Sequence, residues 1–322
     1  MRILLFLLAV ATLALHATAA EKPNFIVILA DDLGYADLAC FGGVDIETPE
    51  LDRMAREGMR LTAFHQAAPT CTASRAALLT GCYPVRIGMG DAIAPRADGS
   101  VSPSRVLWPK SPYGLNHDEI TVAEMLKDAG YATGIIGKWH LGDPPAFNPV
   151  HHGFEEFFGV FFSNDMKPYK YYRNEQELPE EIDRDRQTIR YTDEAVDFIE
   201  RHKDEPFFLY LAHTQPHVPL AASEKFRGAS KRGLYGDAVA EVDWSVGQVL
   251  EALREHELDK NTLVIFSSDN GGWLARGEEG GLNTPMRGGK GGTYQGGMCV
   301  PTIAWQPGTV PEGATCDEVT AG

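Results

Sequence analysis

FIVILADD, residues 25–32, carries the main signal for the fold: an apolar run of strand-forming residues leads directly into two carboxylates. Short apolar runs of this kind are typical of strands that are buried on both faces of a sheet. Similar runs recur as TGIIG (133–137), FFLYLA (207–212), TLVIFSS (262–268) and PTIAW (301–305). Because helical segments separate these runs, they predict an α/β fold with a mainly parallel sheet covered by helices on both sides.

The helical segments have recognisable ends. Segment 48–58 begins with Thr-Pro and ends with Gly, and segment 121–130 begins with a Thr-x-x-Glu capping box and ends with Gly. Apolar side chains on one face predict a long helix before residue 262; they are Val239, Val242, Val246, Val249, Leu250 and Leu253. Two stretches, 91–118 and 154–190, break the alternation and are predicted to be long surface loops. We expect the first loop and the aromatic stretch 157–172 to line the approach of a substrate.

The composition argues against one broad class of function. The chain of 322 residues has 29 Lys and Arg against 45 Asp and Glu, which gives a net charge of −16. Nucleic-acid binding needs a basic face, so we expect no nucleic-acid partner. An anionic small substrate remains compatible with this charge, because a few cations in a cleft can outweigh a distant acidic surface.

The N-terminus has the layout of a secretory signal peptide. Arg2 is followed by an apolar run, shorter than a membrane span requires, and then by small residues before Glu21. We therefore expect a secreted or periplasmic protein, cleaved after Ala20, with no membrane span after signal removal. The five cysteines are too few for a disulfide scaffold, and their odd number means that at least one is unpaired, paired between chains or chemically altered.

Acidic and amide side chains directly follow two of the predicted strands. Asp31 and Asp32 follow the first run, and Asp269 and Asn270 follow TLVIFSS. In open α/β sheets, ligands bind outside the carboxyl ends of the strands. Hard oxygen ligands from two strand ends suit Ca²⁺ or Mg²⁺, although a single Asp in such a place is commonly a helix cap or a turn residue.

Basic side chains follow other strands at the same edge. Lys138 and His140 are two residues apart, so in an extended segment their side chains point to the same side. His217 lies between two prolines, which stiffen the backbone. Lys290 lies in GGKGG within segment 271–297, where eleven of 27 residues are glycine. That composition suits either a flexible surface loop or a close approach to a ligand.

Cys71 stands in PTCTASRAALLTG (69–81), just before the first turn of a predicted helix. Unpaired amides at a helix N-terminus favour an anion and lower the pKa of a thiol. From the residues alone, Cys71 can be an inert buried cysteine, a thiolate nucleophile or a modified residue.

The segment CTASR, from Cys71 to Arg75, resembles the C-x-[PA]-x-R signature of the sulfatase family, in which the cysteine is converted to formylglycine. Further blocks are similar in the same order: ADDLGYADL (30–38), TPELDRMAREG (48–58), GKWHLG (137–142), PHVP (216–219), SDNGG (268–272) and GGKGGTYQGG (288–297). The chain resembles most closely the branch of arylsulfatase A and N-acetylgalactosamine-6-sulfatase. This resemblance implies an alkaline-phosphatase-like fold, a three-layer α/β/α sandwich.

The resemblance also implies a role for each candidate side chain. One Ca²⁺ would be held by the residues after two strands and by the modified cysteine: Asp31, Asp32, Asp269, Asn270 and Cys71. The hydrated aldehyde of residue 71, oriented by Arg75, would attack sulfur. The sulfate oxygens would be bound by Lys138, His140 and Lys290. His217 or Lys290 would assist departure of the alcohol, and His140 would help the hydrate to expel sulfate.

Domain organisation and partners follow from the same resemblance. We expect a signal peptide at residues 1–20 and the N-terminal catalytic domain at 21–322, without the smaller C-terminal subdomain of the family. The expected protein hydrolyses sulfate monoesters of aryl alcohols or carbohydrates, after maturation by a formylglycine-generating enzyme. Two alternatives remain: a phosphate or phosphonate monoester hydrolase of the same fold, and a non-catalytic anion-binding or glycan-binding homologue.

Overall fold

Strands and helices alternate along the chain in the computed structural model, which describes residues 22–90, 106–143 and 145–322. The strands are β1 (Asn24–Ala30), β2 (Met59–Leu61), β3 (Phe64–His65), β4 (Ala132–Lys138), β5 (Glu156–Val160), β6 (Tyr172–Arg173), β7 (Gln176–Glu177), β8 (Phe207–Ala212), β9 (Thr262–Ser268), β10 (Thr302–Trp305), β11 (Ala314–Cys316) and β12 (Thr320–Ala321). The α-helices are α1 (Pro49–Glu57), α2 (Cys71–Thr80), α3 (Val122–Asp128), α4 (Gln187–Arg201), α5 (Gly233–Glu255) and α6 (Gln295–Met298).

Ten strands form one mixed sheet in the order β11-β2-β10-β9-β1-β8-β4-β5-β6-β7. The five central strands, from β9 to β5, are parallel to one another. Strand β10 and the hairpin β6-β7 pair antiparallel on either side of them. Strands β3 and β12 form a separate two-stranded parallel sheet. The predicted α/β class, with a large and mainly parallel sheet, is confirmed.

Each face of the sheet has its own buried core. On one face, Leu209 and Leu211 of β8 belong to a cluster that includes side chains of α1, α4 and α5. On the other face, Phe208 and Tyr210 of the same strand join a cluster with α2 and α3. Alternate residues of a strand point to opposite faces, so an apolar run such as FFLYLA supplies both cores at once.

The helix ends follow the sequence signals. Helix α1 has Pro49 in its first turn and ends before Gly58. Helix α3 has the predicted capping box: the Thr121 hydroxyl accepts a hydrogen bond from the Glu124 amide at 3.1 Å, and the Glu124 carboxylate accepts one from the Thr121 amide at 2.8 Å. These caps satisfy amides that a helix leaves unpaired.

The predicted surface loop at 154–190 is wrong. This stretch contains strand β5, which pairs in parallel with β4, as well as the hairpin β6-β7 and the start of α4. Phe157 and Phe158 are only 1 % and 2 % exposed, so they fill the two cores and do not line a substrate path. Glu155 and Glu156 stand directly before the aromatic run. Because acidic residues are not typical of a strand that is buried on both faces, the sequence analysis did not predict β5.

Two other predicted segments fall wholly or partly outside the described residues. The signal peptide, residues 1–20, lies outside them, as do residues 91–105 of the first predicted loop. Residues 106–118 contain neither helix nor strand, and Leu107 and Leu115 anchor them in the core. No helix within 22–90, 106–143 or 145–322 is long and apolar enough to cross a bilayer.

Gly137 offers a direct test of how tightly the central strands fit. Its φ of +108° disfavours any side chain, and a Cβ there would lie 1.8 Å from the carbonyl oxygen of Ala212 in β8. We expect Gly137→Ala to lower the free energy of unfolding by more than about 3 kcal/mol in urea denaturation. Gly308→Ala is the matched control, because Gly308 has a φ of +81° with nothing within 4 Å, and it should cost about 1 kcal/mol. Equal losses would contradict the steric argument.

Candidate active site

The carboxyl ends of the parallel strands bring distant acidic residues together. Asp31 and Asp32 follow β1, and Asp269 and Asn270 follow the neighbouring strand β9. The Asp32 amide donates a hydrogen bond to Asp269 Oδ1 at 3.2 Å, and the Asp269 amide donates one to the Ala30 carbonyl at 3.1 Å. All four side chains are buried, so strand pairing alone places this group of charges at one edge of the sheet.

Cys71 lies in the same group. It is the first residue of α2 and is 1 % exposed, and its Sγ donates to Asp31 Oδ1 at 3.5 Å. One potential ligand atom from each of Asp31, Asp32, Cys71 and His217 lies within 4.8 Å of the others. The structure therefore brings the motif cysteine, both aspartates after β1 and the histidine after β8 to one point.

Arg75, one turn after Cys71 in α2, ties this helix to three strand ends. Its Nε and Nη2 donate to Asp269 Oδ2 at 3.0 and 2.8 Å, and Nη2 lies 3.8 Å from Asp31 Oδ1. Its Nη1 donates to the Lys138 carbonyl at 2.9 Å. A guanidinium that is fully buried needs such partners, because an unpaired buried charge is strongly destabilising.

Two lysines balance the remaining carboxylates. Lys138 Nζ lies 2.5 Å from Asp31 Oδ2, and Lys290 Nζ lies 2.7 Å from Asp32 Oδ2. Burial alone would raise the pKa of both aspartates, but Lys138 holds the pKa of Asp31 below its ordinary value and Lys290 does the same for Asp32. Burial likewise opposes the charge on Lys290, yet Asp32 raises the pKa of this lysine. These shifts keep Asp31, Asp32 and Lys290 in their charged forms.

The two histidines of the site present different ring nitrogens. His140 Nε2 donates to the Leu107 carbonyl at 3.0 Å, and its Nδ1 is buried without a hydrogen-bond partner among the described residues. Burial, with Lys138 and Arg75, lowers the pKa of His140 well below its ordinary value, so the ring is neutral and Nδ1 can accept a proton. His140 has a φ of +62°, so the predicted extended segment from Lys138 to His140 is wrong.

His217 faces the aspartates. Its Nδ1 donates to the Val218 carbonyl at 2.6 Å, and its Nε2 lies 3.6 Å from Asp32 Oδ2. Burial and the nearby charge of Lys290 lower the pKa of His217. The ring is thus held by the backbone on one side, and its second nitrogen points towards the cluster.

The prediction of a lowered thiol pKa at Cys71 is wrong. Burial and the carboxylate of Asp269 raise the pKa of this thiol, and these effects exceed the opposite effects of Lys138 and Lys290. The other cysteines offer no pairing partner, since all five thiols lie within the described residues and none forms a disulfide. The environment does not favour a thiolate at this position.

The donor set of the cluster fits a hard divalent cation. Asn270 Nδ2 donates to Asp32 Oδ1 at 2.8 Å, whereas Asn270 Oδ1 is buried without a hydrogen-bond partner among the residues described. Leaving such an oxygen unpaired costs about 1–3 kcal/mol, and a cation would satisfy it. Carboxylate and amide oxygens are the ligands that Ca²⁺ and Mg²⁺ prefer.

Comparison with known proteins agrees with this geometry. The family model named Sulfatase matches residues 23–321. The chain belongs to the sulfatase family. N-acetylgalactosamine-6-sulfatase from Mus musculus is 42% identical over 331 residues, covering 97% of this chain and 62% of the relative. Arylsulfatase A from Homo sapiens is 38% identical, covering 94% of this chain and 62% of the relative. The chain thus spans about 62% of the length of these sulfatases.

A solved structure shares the fold. The crystal structure of Ps i-CgsB in complex with k-i-k-neocarrahexaose matches with a TM-score of 0.82 and 33% sequence identity. The match covers 94% of this chain and 69% of that one. The fold of this chain is therefore shared with a solved structure at 33% sequence identity.

Asn164 is a residue of the site that the sequence analysis missed. Its Nδ2 donates to the carbonyls of Thr214 and His217 at 3.0 and 3.2 Å, and its Oδ1 accepts a hydrogen bond from the Tyr169 hydroxyl at 2.5 Å. The side chain thus fixes the backbone that carries His217. More than 50 positions in the chain separate Asn164 from His217, so no local pattern could have revealed this contact.

Trp273 is a second missed residue. The centre of its indole ring lies 5.6 Å from that of the His217 ring and 4.6 Å from Lys290 Nζ. It stands directly after SDNGG in the sequence, and an aromatic residue in that place was the available signal. Two residues of the 157–172 stretch contact predicted site residues: Asn164 bonds the His217 carbonyl, and the ring centre of Phe162 lies 5.5 Å from that of His140.

Removing the Asn164 side chain should loosen the segment that carries His217. We expect Asn164→Ala to lower the free energy of unfolding by about 1–3 kcal/mol, because the carbonyls of Thr214 and His217 lose the amide group that donates to them. Urea denaturation measures this loss. Asn116→Ala, which removes only an exposed bond to the Asp118 amide, is the control and should change stability by less than about 0.5 kcal/mol. An equally small effect of Asn164→Ala would contradict the anchoring role.

Proposed function

We propose that this chain is the catalytic part of an exported sulfatase, which hydrolyses sulfate monoesters at the cluster around Cys71. The observation that carries the proposal is the grouping of the motif cysteine with Asp31, Asp32 and His217 within 4.8 Å. Membership of the sulfatase family supports it. Export rests on the sequence of residues 1–20.

We infer that Cys71 is converted to formylglycine. The hydrated aldehyde supplies an oxygen nucleophile together with a second hydroxyl that can expel sulfate. A serine in this position would lack that second hydroxyl, and its sulfate ester would have to be hydrolysed directly. The raised pKa of the thiol argues against Cys71 acting as a thiolate. Because residue 71 is 1 % exposed, a maturing enzyme would reach it before the fold closes around it.

The metal in this proposal is one Ca²⁺. It would be held by the oxygen donors at the ends of β1 and β9 and by the modified residue: Asp31, Asp32, Asp269, Asn270 and residue 71. A bound cation of this kind withdraws charge from the group that it contacts and stabilises developing negative charge. Asn270 contributes the buried oxygen that has no other partner among the described residues.

Three cations of the chain would bind the substrate sulfate and orient the nucleophile. Arg75 lies one helical turn from residue 71 and would fix its direction while holding Asp269. In the structure, Lys138 pairs with Asp31 and Lys290 pairs with Asp32. Once those carboxylates bind a cation, the two ammonium groups are available for the sulfate oxygens, where they stabilise the charge of the transition state.

The histidines would move protons. His140 is neutral, and its Nδ1 can accept the proton of the hydroxyl that expels sulfate. His217 and Lys290 both contact Asp32 and are the two candidates to assist departure of the alcohol. A sulfated glycan is the proposed substrate, by analogy with the name of N-acetylgalactosamine-6-sulfatase and with the neocarrahexaose complex of Ps i-CgsB.

Parallel assays with 4-nitrophenyl sulfate and 4-nitrophenyl phosphate test the function, because the two esters share a leaving group. We expect the sulfate to be hydrolysed with the higher kcat/KM, and Cys71→Ala to lose at least about 10³-fold of this activity. Thr80→Ala, at the far end of the same helix, is the control. A preference for the phosphate would contradict the sulfatase proposal.

Mass spectrometry of the peptide that contains residue 71 accompanies this assay. Formylglycine is lighter than cysteine, so conversion appears directly in the mass. An unmodified peptide from an export-competent host, together with absent turnover, would favour the non-catalytic binding alternative.

Calcium should stabilise the folded chain. At a Ca²⁺ concentration 100 times its dissociation constant, we expect the free energy of unfolding to rise by about 2.7 kcal/mol over the value in EDTA. Asn270→Ala should lose most of this increment, whereas Asn261→Ala, far from the cluster, should keep it. Denaturation with and without the ion measures both. If Asn270→Ala kept the full increment in the free energy of unfolding, the result would contradict binding of the cation at this site.

A further inference from the structure

The guanidinium of Arg276 stacks on the indole ring of Trp273 beside the active site. The short 3₁₀ segment Leu274–Glu279 follows Trp273, and the Arg276 amide donates to the Trp273 carbonyl at 3.0 Å. This turn places the Arg276 guanidinium against the indole, with Cζ 4.1 Å from the ring centre. Such stacking holds an arginine in one place without using its hydrogen-bond donors.

The same indole connects Arg276 to the catalytic cluster. Lys290 Nζ lies 4.6 Å from the indole centre, and it also bonds Asp32 at 2.7 Å. The ring of His217 lies 5.6 Å from the indole, centre to centre. Arg276 is exposed and Trp273 is half-buried, so the pair stands at the mouth of the site. The pair therefore lies next to Lys290 and His217, the two residues proposed to assist departure of the alcohol.

Arg276 has no carboxylate within 4.0 Å in the part of the chain that the structure describes. Neighbouring acidic residues of its own turn, Glu278 and Glu279, do not pair with it. Two other exposed arginines do have such partners: Arg173 pairs with Glu194, and Arg201 with Glu156. The chain has 45 acidic residues, yet Arg276 is held by the ring of Trp273 and not by a carboxylate. All the N–H donors of its guanidinium are therefore available to bind an anion from solution.

We propose that Trp273 and Arg276 form a second anion-binding subsite, which selects esters whose alcohol carries a further sulfate or carboxylate. The proposal rests on the proposed function, since it takes the scissile sulfate to lie at Lys138 and Lys290. The natural substrate is then a polyanionic saccharide. A guanidinium can bind sulfate or carboxylate through two parallel hydrogen bonds while its face stays on the indole.

The test compares two probes that differ by one anion, benzenesulfonate and benzene-1,3-disulfonate. Their affinities are measured by calorimetry at low salt and as competitive inhibition of 4-nitrophenyl sulfate hydrolysis. We expect the disulfonate to bind about fivefold more tightly than the monosulfonate, which is the size of one exposed charge pair. The preference should shrink as ionic strength rises.

Arg276→Gln should abolish the preference, and Arg276→Lys should keep part of it. Arg287→Gln is the matched control: Arg287 is also exposed and also stacks on a ring, that of Tyr294 at 3.9 Å, but it has no ring in common with Lys290. The control should keep both the preference and the activity. If Arg276 served only to cover the indole, Arg276→Gln would lower the melting temperature and leave the ratio of affinities unchanged, which would overturn the proposal.

Calorimetry separates this proposal from the proposed function. A wild-type chain that fails to hydrolyse 4-nitrophenyl sulfate, yet prefers the disulfonate through Arg276, would contradict the sulfatase activity and support the subsite. An active wild-type chain with equal affinity for both probes would overturn the subsite alone.

Discussion

The pairing of Arg75 with Asp269 and Asp31 is the interaction on which the fold and the site both depend. All three side chains are fully buried, and a buried charge is tolerated only when it is paired and hydrogen-bonded. Arg75 therefore docks α2 onto the ends of β1, β4 and β9 in one orientation. Because Cys71 begins the same helix, its position against Asp31 follows from that docking.

The side chains of the site balance one another in charge, whereas the chain as a whole is acidic. The chain carries a net charge of −16, yet the cluster joins three carboxylates to three cations, all buried except the half-buried Lys290: Asp31, Asp32, Asp269, Arg75, Lys138 and Lys290. A divalent cation and an anionic ester would each meet side chains of opposite charge in this cluster. Trp273 extends this arrangement outwards, since it contacts Lys290 within the site and Arg276 at the rim.

Much of the fold was predictable because its signals are local. Apolar runs predicted the central strands, and a capping box placed the start of α3. Strand β5 was not predicted because its start is acidic, with Glu155 before the strand and Glu156 as its first residue, although its two phenylalanines are buried on opposite faces. The turn at His140 was not predicted, because a positive φ in a residue other than glycine leaves no pattern in the sequence.

The amino-acid sequence alone was enough to identify the family and the residues of the cluster, because strand ends and a short motif are read over a few neighbouring positions. It was not enough to show that Asn164 holds the backbone of His217, or that Arg276 and Lys290 meet on one indole. Burial also reversed the expected pKa of Cys71. These features depend on contacts between segments far apart in the chain and on the removal of water, and both exist only once the chain has folded.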